Sequence, residues 1–201
     1  MLTVGLTGGL ASGKSHVGHY LEDLGCFLIK ADELGHMVLM PGGEAYNATV
    51  AEFGETILNP EGTIDRRRLA GLVFNDPDRL EKLNRIVHPS VRKRTESLIA
   101  GFKARQPGGI AVVEAAILVE TGSHKRYDRL IVAVCTEEQQ IQRAMERDGI
   151  TRDEAMARLR RQLPLQEKIK YADYVIDTSG AREDTAAQTR AVYEKLRSSQ
   201  Q

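Results

Sequence analysis

The chain has no tryptophan, only ten other aromatic residues and two cysteines in 201 residues. Its 28 basic and 28 acidic residues cancel. No overall field draws it to nucleic acid, although binding a small anion is compatible with this balance. Cys26 and Cys135 lie far apart in apolar runs, which points to buried free thiols and not to a disulfide or a metal pair. No apolar run approaches the length needed to span a membrane. Residues 2–7 are too short for the core of a signal peptide. A soluble, cytoplasmic protein is expected, as a monomer or a weak homo-oligomer. What the chain does have is 41% hydrophobic residues, enough for a real core in one domain with a smaller insertion.

That apolar content is organised as strands alternating with helices. LTVGLT is β-rich and is followed by a helix whose Val17, Tyr20, Leu21 and Leu24 recur at helical spacing, with Gly25 as its stop. CFLI (26–29), GIAVVEAAILV (109–119), DRLIVAVC (128–135) and DYVIDT (173–178) read as further strands. A polar helix from about Arg182 to Leu196 closes the chain, and only SSQQ looks frayed. Apolar strands between helices predict an α/β fold with a parallel sheet covered on both faces. Residues 31–106 break the alternation with helices separated by the turn signals MPGGE, NPEGT, NDPD and HP. They are expected to form a helical insertion, leaving 1–30 and 107–201 as the core. Residues 136–172 are helical and arginine-rich, and roughly 143–170 suit a lid.

Gly8, Gly13, Lys14 and Ser15 match G-x-x-x-x-G-K-[ST] between a strand and a helix, the setting a phosphate loop requires. Consecutive backbone N–H groups from Gly8, Gly9, Leu10, Ala11, Ser12 and Gly13 can converge on phosphate oxygens, helped by the helix N-terminus. Lys14 would reach the β- and γ-phosphates of ATP, and the Ser15 hydroxyl would enter a Mg²⁺ shell. The modest length and the lack of an Asn-Lys-x-Asp guanine reader favour a kinase over a GTPase or a mechanical ATPase. Such a kinase needs a lid that brings positive charge to the transferred group.

Asp32 follows the second strand at its C-terminal end, where parallel sheets present their sites. It can accept a hydroxyl proton or orient a Mg²⁺-bound water, and it can also serve as an N-cap. Arg143 and Arg147 are four apart on one helix face and can clamp phosphate, or pair with Glu137, Glu138 or Glu146 on a solvated face. A second group, Arg152, Arg158, Arg160 and Arg161, tilts this towards an anion-binding lid. Glu114, late on a strand, suits a metal's outer shell, while Glu120 suits a cap or a structural pair. His88-Pro89 reads as a structural histidine beside a helix start or break. His16 and His19 read as ordinary helix residues, because nothing nearby completes a metal site.

The sequence resembles the dephospho-CoA kinase family through nearly its whole length. GLTGGLASGKS is similar to the family's GLTGGIGSGKS, and IKADELGH to its Asp-Ala-Asp segment. PGGEAY with FGE, EGTIDRRRL, VFNDP and LNRIVHPSV match within the insertion, and EAAILVETG resembles the D-x-P-L-L-F-E segment. QIQRAMERD, RRQLPLQEK and ADYVIDTSG follow in order. The resemblance implies a P-loop kinase core with a helical substrate-binding insertion and a lid. Its implied activity is ATP- and Mg²⁺-dependent phosphorylation of the ribose 3′-hydroxyl of dephospho-CoA. Carried over by position, Gly8 to Ser15 hold the ATP phosphates, Asp32 is the base, and Arg143 and Arg147 assist the nucleotide and the transferred phosphate. Thr178 falls near the base pocket, and the His88 segment and Glu114 fall on the substrate side. A P-loop kinase of another nucleotide or small hydroxyl compound, or a non-catalytic nucleotide-binding homologue, are the alternatives. The chain departs from the pattern at Lys30, Glu114, Ala116, Thr178 and Ala11. Ala11 replaces a loop glycine, so a negative φ is expected there.

Overall fold

The computed structural model describes residues 1–73 and 76–199. Phe74 and Asn75, which belong to the VFNDP match and the start of the NDPD turn signal, lie outside the described residues, as do Gln200 and Gln201 of SSQQ.

The chain divides into two compact units, Met1–Lys30 with Gly101–Gln201, and Ala31–Ala100. In the first, strands β1 (Leu2–Gly8), β2 (Phe27–Lys30), β3 (Ile110–Glu114), β4 (Arg129–Val134) and β5 (Tyr174–Asp177) form one sheet in the order β2-β3-β1-β4-β5. Every pairing is parallel, with Val4 opposite Val112 on one side and Arg129 on the other. Parallel strands need both faces covered, which is why these runs are apolar without alternation. One face buries Val4, Leu6, Val112, Ile131 and Ile176 against Val17 and Leu21 of α1 (Lys14–Asp23) and Val192 and Leu196 of α9 (Arg182–Ser198). On the other face Ala111, Val113, Leu130 and Val132 are equally buried. Each fully buried Val, Leu or Ile contributes about 1.5–3 kcal/mol relative to exposure, so these two layers hold the sheet.

The apolar run at 109–119 is shorter as a strand than its composition predicts. It leaves the sheet after Glu114, level with Leu6 of β1, and Thr121 N–H already bonds Ile117 C=O in a helical turn. The segment 136–170 forms α6 (Glu137–Asp148), α7 (Arg152–Leu159) and the short α8 (Leu165–Ile169). Capping boxes start the first two, Thr136 with Gln139 and Thr151 with Glu154, and Gly149 at φ 64° ends α6.

The second unit carries α2 (Ala31–Met37), α3 (Tyr46–Phe53), α4 (Arg66–Val73) and most of α5 (Pro77–Arg105). Its own core is Ile57, Ile64, Leu69 and Val73, flanked by Tyr46, Val50, Phe53 and Leu83. The NPEGT turn is closed by Asn59 N–H to Thr63 C=O at 2.8 Å. Asp65 caps α4 by accepting from Arg67 and Arg68 N–H, and Asp76 caps α5 by accepting from Arg79 N–H, ahead of Pro77. Two expectations fail here. Pro89 neither starts nor breaks a helix, because α5 runs through it for 29 residues. One missing N–H is a local loss that the bonded turns on either side outweigh. Asp32 is not an N-cap either, since α2 already begins at Ala31 and holds Asp32 in its first turn.

Candidate active site

The loop between β1 and α1 carries the site. Gly13 has φ 79°, which suits glycine alone, and a Cβ there would also meet Thr178 Oγ1 at 2.9 Å. At Gly9 a Cβ would lie 2.1 Å from Gln140 Nε2, so a larger residue there would displace that amide. That amide donates to Leu10 C=O at 2.8 Å, tying buried Gln140 of α6 to the loop. Ala11 departs from expectation: its φ is 49°, in the left-handed region. The strain is offset by packing, since Leu10 and Ala11 join an apolar cluster with Ile141, Ala144, Ala155, Met145, Ile150 and Met156.

A cavity of about 420 Å³ opens over the loop, lined by Ala11, Ser12, Gly13, Lys14, Ser15, His16, Arg143, Glu146 and Arg147. Lys14 and Ser15 begin α1 and meet Glu114, the buried last residue of β3. Ser15 Oγ donates to Glu114 Oε1 at 2.5 Å, and Lys14 Nζ stands 3.9 Å from the same oxygen. Glu114 Oε2 is buried without a hydrogen-bond partner. A carboxylate half-satisfied in this way keeps an acceptor free beside a lysine and a serine at a helix N-terminus.

Arg143 is held from behind. Its guanidinium donates to Thr178 C=O at 2.8 Å and to Thr178 Oγ1 at 3.3 Å, and Thr178 Oγ1 donates in turn to Ser12 C=O at 2.8 Å. Thr178 therefore connects the arginine to the loop and does not line the cavity itself. Arg147 lines the cavity but forks onto Asp148. In the second arginine group, Arg152 pairs with Glu138 and Arg158 with Asp148, so these two serve as surface ion pairs and not as open anion ligands. Gly8 precedes the lining residues, at the end of β1. His88 is an exposed residue of α5 in the second unit, and Asp32 stands exposed directly beyond the C-terminal end of β2.

Three participants were not legible in the sequence as site residues. His16 lines the cavity, where it had read as an ordinary helix residue. Its ring meets Tyr20 edge-on at 4.8 Å, its Nε2 is buried without a partner, and burial with Arg182, His19 and Arg143 nearby lowers its pKa below the ordinary value. Glu146 lines the cavity between Arg143 and Arg147. Lys168 is wholly buried behind the loop. Arg143 and Arg147, four apart within QIQRAMERD, are the sequence signal that points to this wall of the cavity.

A five-stranded parallel sheet in this order, with a glycine-rich loop presenting Lys14 and Ser15 to a cavity walled by arginines, defines a P-loop kinase. The family model described as dephospho-CoA kinase matches residues 2–184. A dephospho-CoA kinase of Geobacillus kaustophilus is 43% identical over 193 residues, covering 95% of this chain and 94% of the relative. A crystal structure from Thermus thermophilus, 32% identical, superposes with a TM-score of 0.80 over 97% of each chain. The dephospho-CoA kinase of Campylobacter jejuni, 25% identical, gives 0.63 over 96% of each. The chain belongs to the dephospho-CoA kinase family, phosphotransferases with a hydroxyl acceptor. Among the described residues no helix is long and apolar enough to cross a membrane.

Proposed function

We propose that this protein transfers the γ-phosphoryl group of ATP to the ribose 3′-hydroxyl of dephospho-CoA, giving coenzyme A and ADP, in the cytoplasm. The observation that carries this reading is Lys14, Ser15 and Glu114 converging beside a cavity walled by Arg143 and Arg147, in a chain of this family.

The loop N–H groups and Lys14 bind the phosphates, and Arg143, fixed by Thr178, supplies charge to the transferred group. Asp32 is the general base. The 3′-oxygen attacks the γ-phosphorus, its proton passes to the Asp32 carboxylate, and the bond from γ-phosphorus to the β–γ bridging oxygen breaks as ADP leaves. The donor set fits Mg²⁺. Ser15 Oγ is a hard oxygen ligand at the cavity, and Glu114, bonded to it, would orient it from the outer shell. When bound, that ion neutralises charge on the β- and γ-phosphates.

An ADP-release assay tests the reading, with dephospho-CoA set against AMP, CMP, shikimate and no acceptor. Transfer to dephospho-CoA alone is expected, whereas ATP binding without transfer to any acceptor overturns it. Asp32→Asn is expected to keep ATP affinity and lose about 10²-fold or more in kcat. Near-normal turnover removes Asp32 as the base.

A further inference from the structure

Lys168 of α8 is wholly buried, which lysine almost never is unless fully paired. Its ammonium has three N–H donors and three acceptors, namely Gly8 C=O at 3.1 Å, Ala116 C=O at 2.8 Å and Glu120 Oε1 at 2.7 Å. Glu120 Oε1 also accepts Leu163 N–H at 3.2 Å, from the segment leading into α8. Burial, and the charge of Lys14, work against the ammonium, while Glu120 favours it. A buried ion pair of this kind is weak as a stability device, since well-packed apolar residues often replace one at no cost. Its placement on Gly8 needs another explanation.

Gly8 opens the phosphate loop and is followed by Gly9. With glycine on both sides, the peptide joining them can rotate at little cost. In a planar trans peptide the C=O and the next N–H point in opposite directions. A rotation would therefore exchange a donor for a carbonyl oxygen in a loop that binds anions through its N–H groups. We infer that Lys168 is a positioning residue for nucleotide binding. By holding the Gly8 carbonyl it fixes the Gly8–Gly9 peptide with its N–H directed away from the ammonium, and Glu120 and Ala116 hold Lys168 for that task. The inference rests on the reading that this loop binds ATP.

The test is ATP affinity by calorimetry, without acceptor, for wild type, Lys168→Met and the double variant Lys168→Met/Glu120→Leu, which leaves no unpaired buried charge. Both variants are expected to keep the wild-type circular dichroism and to bind ATP about 10- to 100-fold more weakly. The KM for dephospho-CoA is expected to stay within about threefold of wild type, a split that general loosening of the fold does not produce. Folded variants with ATP affinity within about twofold of wild type overturn the inference. So does a double variant that cannot fold, because the pair is then structural. A wild type that binds ATP but leaves dephospho-CoA untouched overturns the acceptor assignment and not the role of Lys168.

Discussion

Ser15 Oγ and Glu114 Oε1 are 2.5 Å apart, joining the first turn of α1 to the end of β3. The bond crosses from one sequence segment to another 99 residues away, and it leaves Glu114 Oε2 buried and unpartnered. Glutamate stands where the family pattern has aspartate, and its side chain reaches Ser15 from the strand end.

Glu114→Gln keeps the shape and one acceptor oxygen but removes the charge. Its kcat is expected to fall about 10- to 100-fold, with a higher Mg²⁺ concentration needed for half-maximal rate. Steady-state rates across a Mg²⁺ titration check this. A variant with both quantities unchanged would show that Glu114 only holds Ser15.

Thr178 stands where the family pattern has asparagine, and its hydroxyl contacts Ser12 C=O, Val134 C=O and Arg143 together. Thr178→Val keeps the volume and removes the hydroxyl, leaving the Ser12 carbonyl without this donor. A destabilisation of about 1–3 kcal/mol is expected, with a raised KM for ATP because Arg143 loses part of its support. Urea unfolding and ATP saturation curves measure the two. Wild-type values in both would reduce Thr178 to a bystander.

The local features were legible because their causes are local. A glycine-rich turn between an apolar strand and an amphipathic helix needs only Gly8 to Val17 to be recognised. The capping boxes of α6 and α7 lie within four residues of sequence. Lys168 was not legible, since its three acceptors come from segments 160, 52 and 48 residues away in the chain and QEK looks like any solvated helix. His16 looked ordinary because one turn of helix does not reveal which face meets the cavity. Pro89 misled in the other direction, because a rule about one residue's missing N–H says nothing about the length of helix around it.

His16 has a pKa held below its unfolded value, chiefly by burial and then by Arg182, His19 and Arg143. The sign follows directly. Well above the unfolded pKa of about 6.5 neither state carries the proton, and the contribution to stability is complete. As pH falls below that value the unfolded chain takes up a proton that the folded chain resists, so stability declines until the folded pKa is passed. Thermal midpoints are expected to drop between about pH 7.5 and 5.5. The drop should be smaller in His16→Asn, which cannot titrate. Parallel curves for the two proteins would refute this linkage.

Ala11 at φ 49° places a side chain in backbone that costs an L-residue about 1–2 kcal/mol. Ala11→Gly removes that cost, loses roughly 0.8 kcal/mol of methyl burial in the cluster with Ile141 and Ala144, and loosens the unfolded chain by about 0.4–1 kcal/mol. These effects nearly cancel, so stability is expected within about 1 kcal/mol of wild type, with ATP affinity retained. Ala11→Val has no such compensation. A β-branched residue is a genuine outlier at positive φ, and its extra methyls crowd both the cluster and the cavity wall. It is expected to lose about 2 kcal/mol or more and to bind ATP more weakly. Denaturant unfolding of the pair checks the balance. A valine variant as stable as wild type would show that the loop at Ala11 relaxes to negative φ, and the offset between strain and packing would then fall.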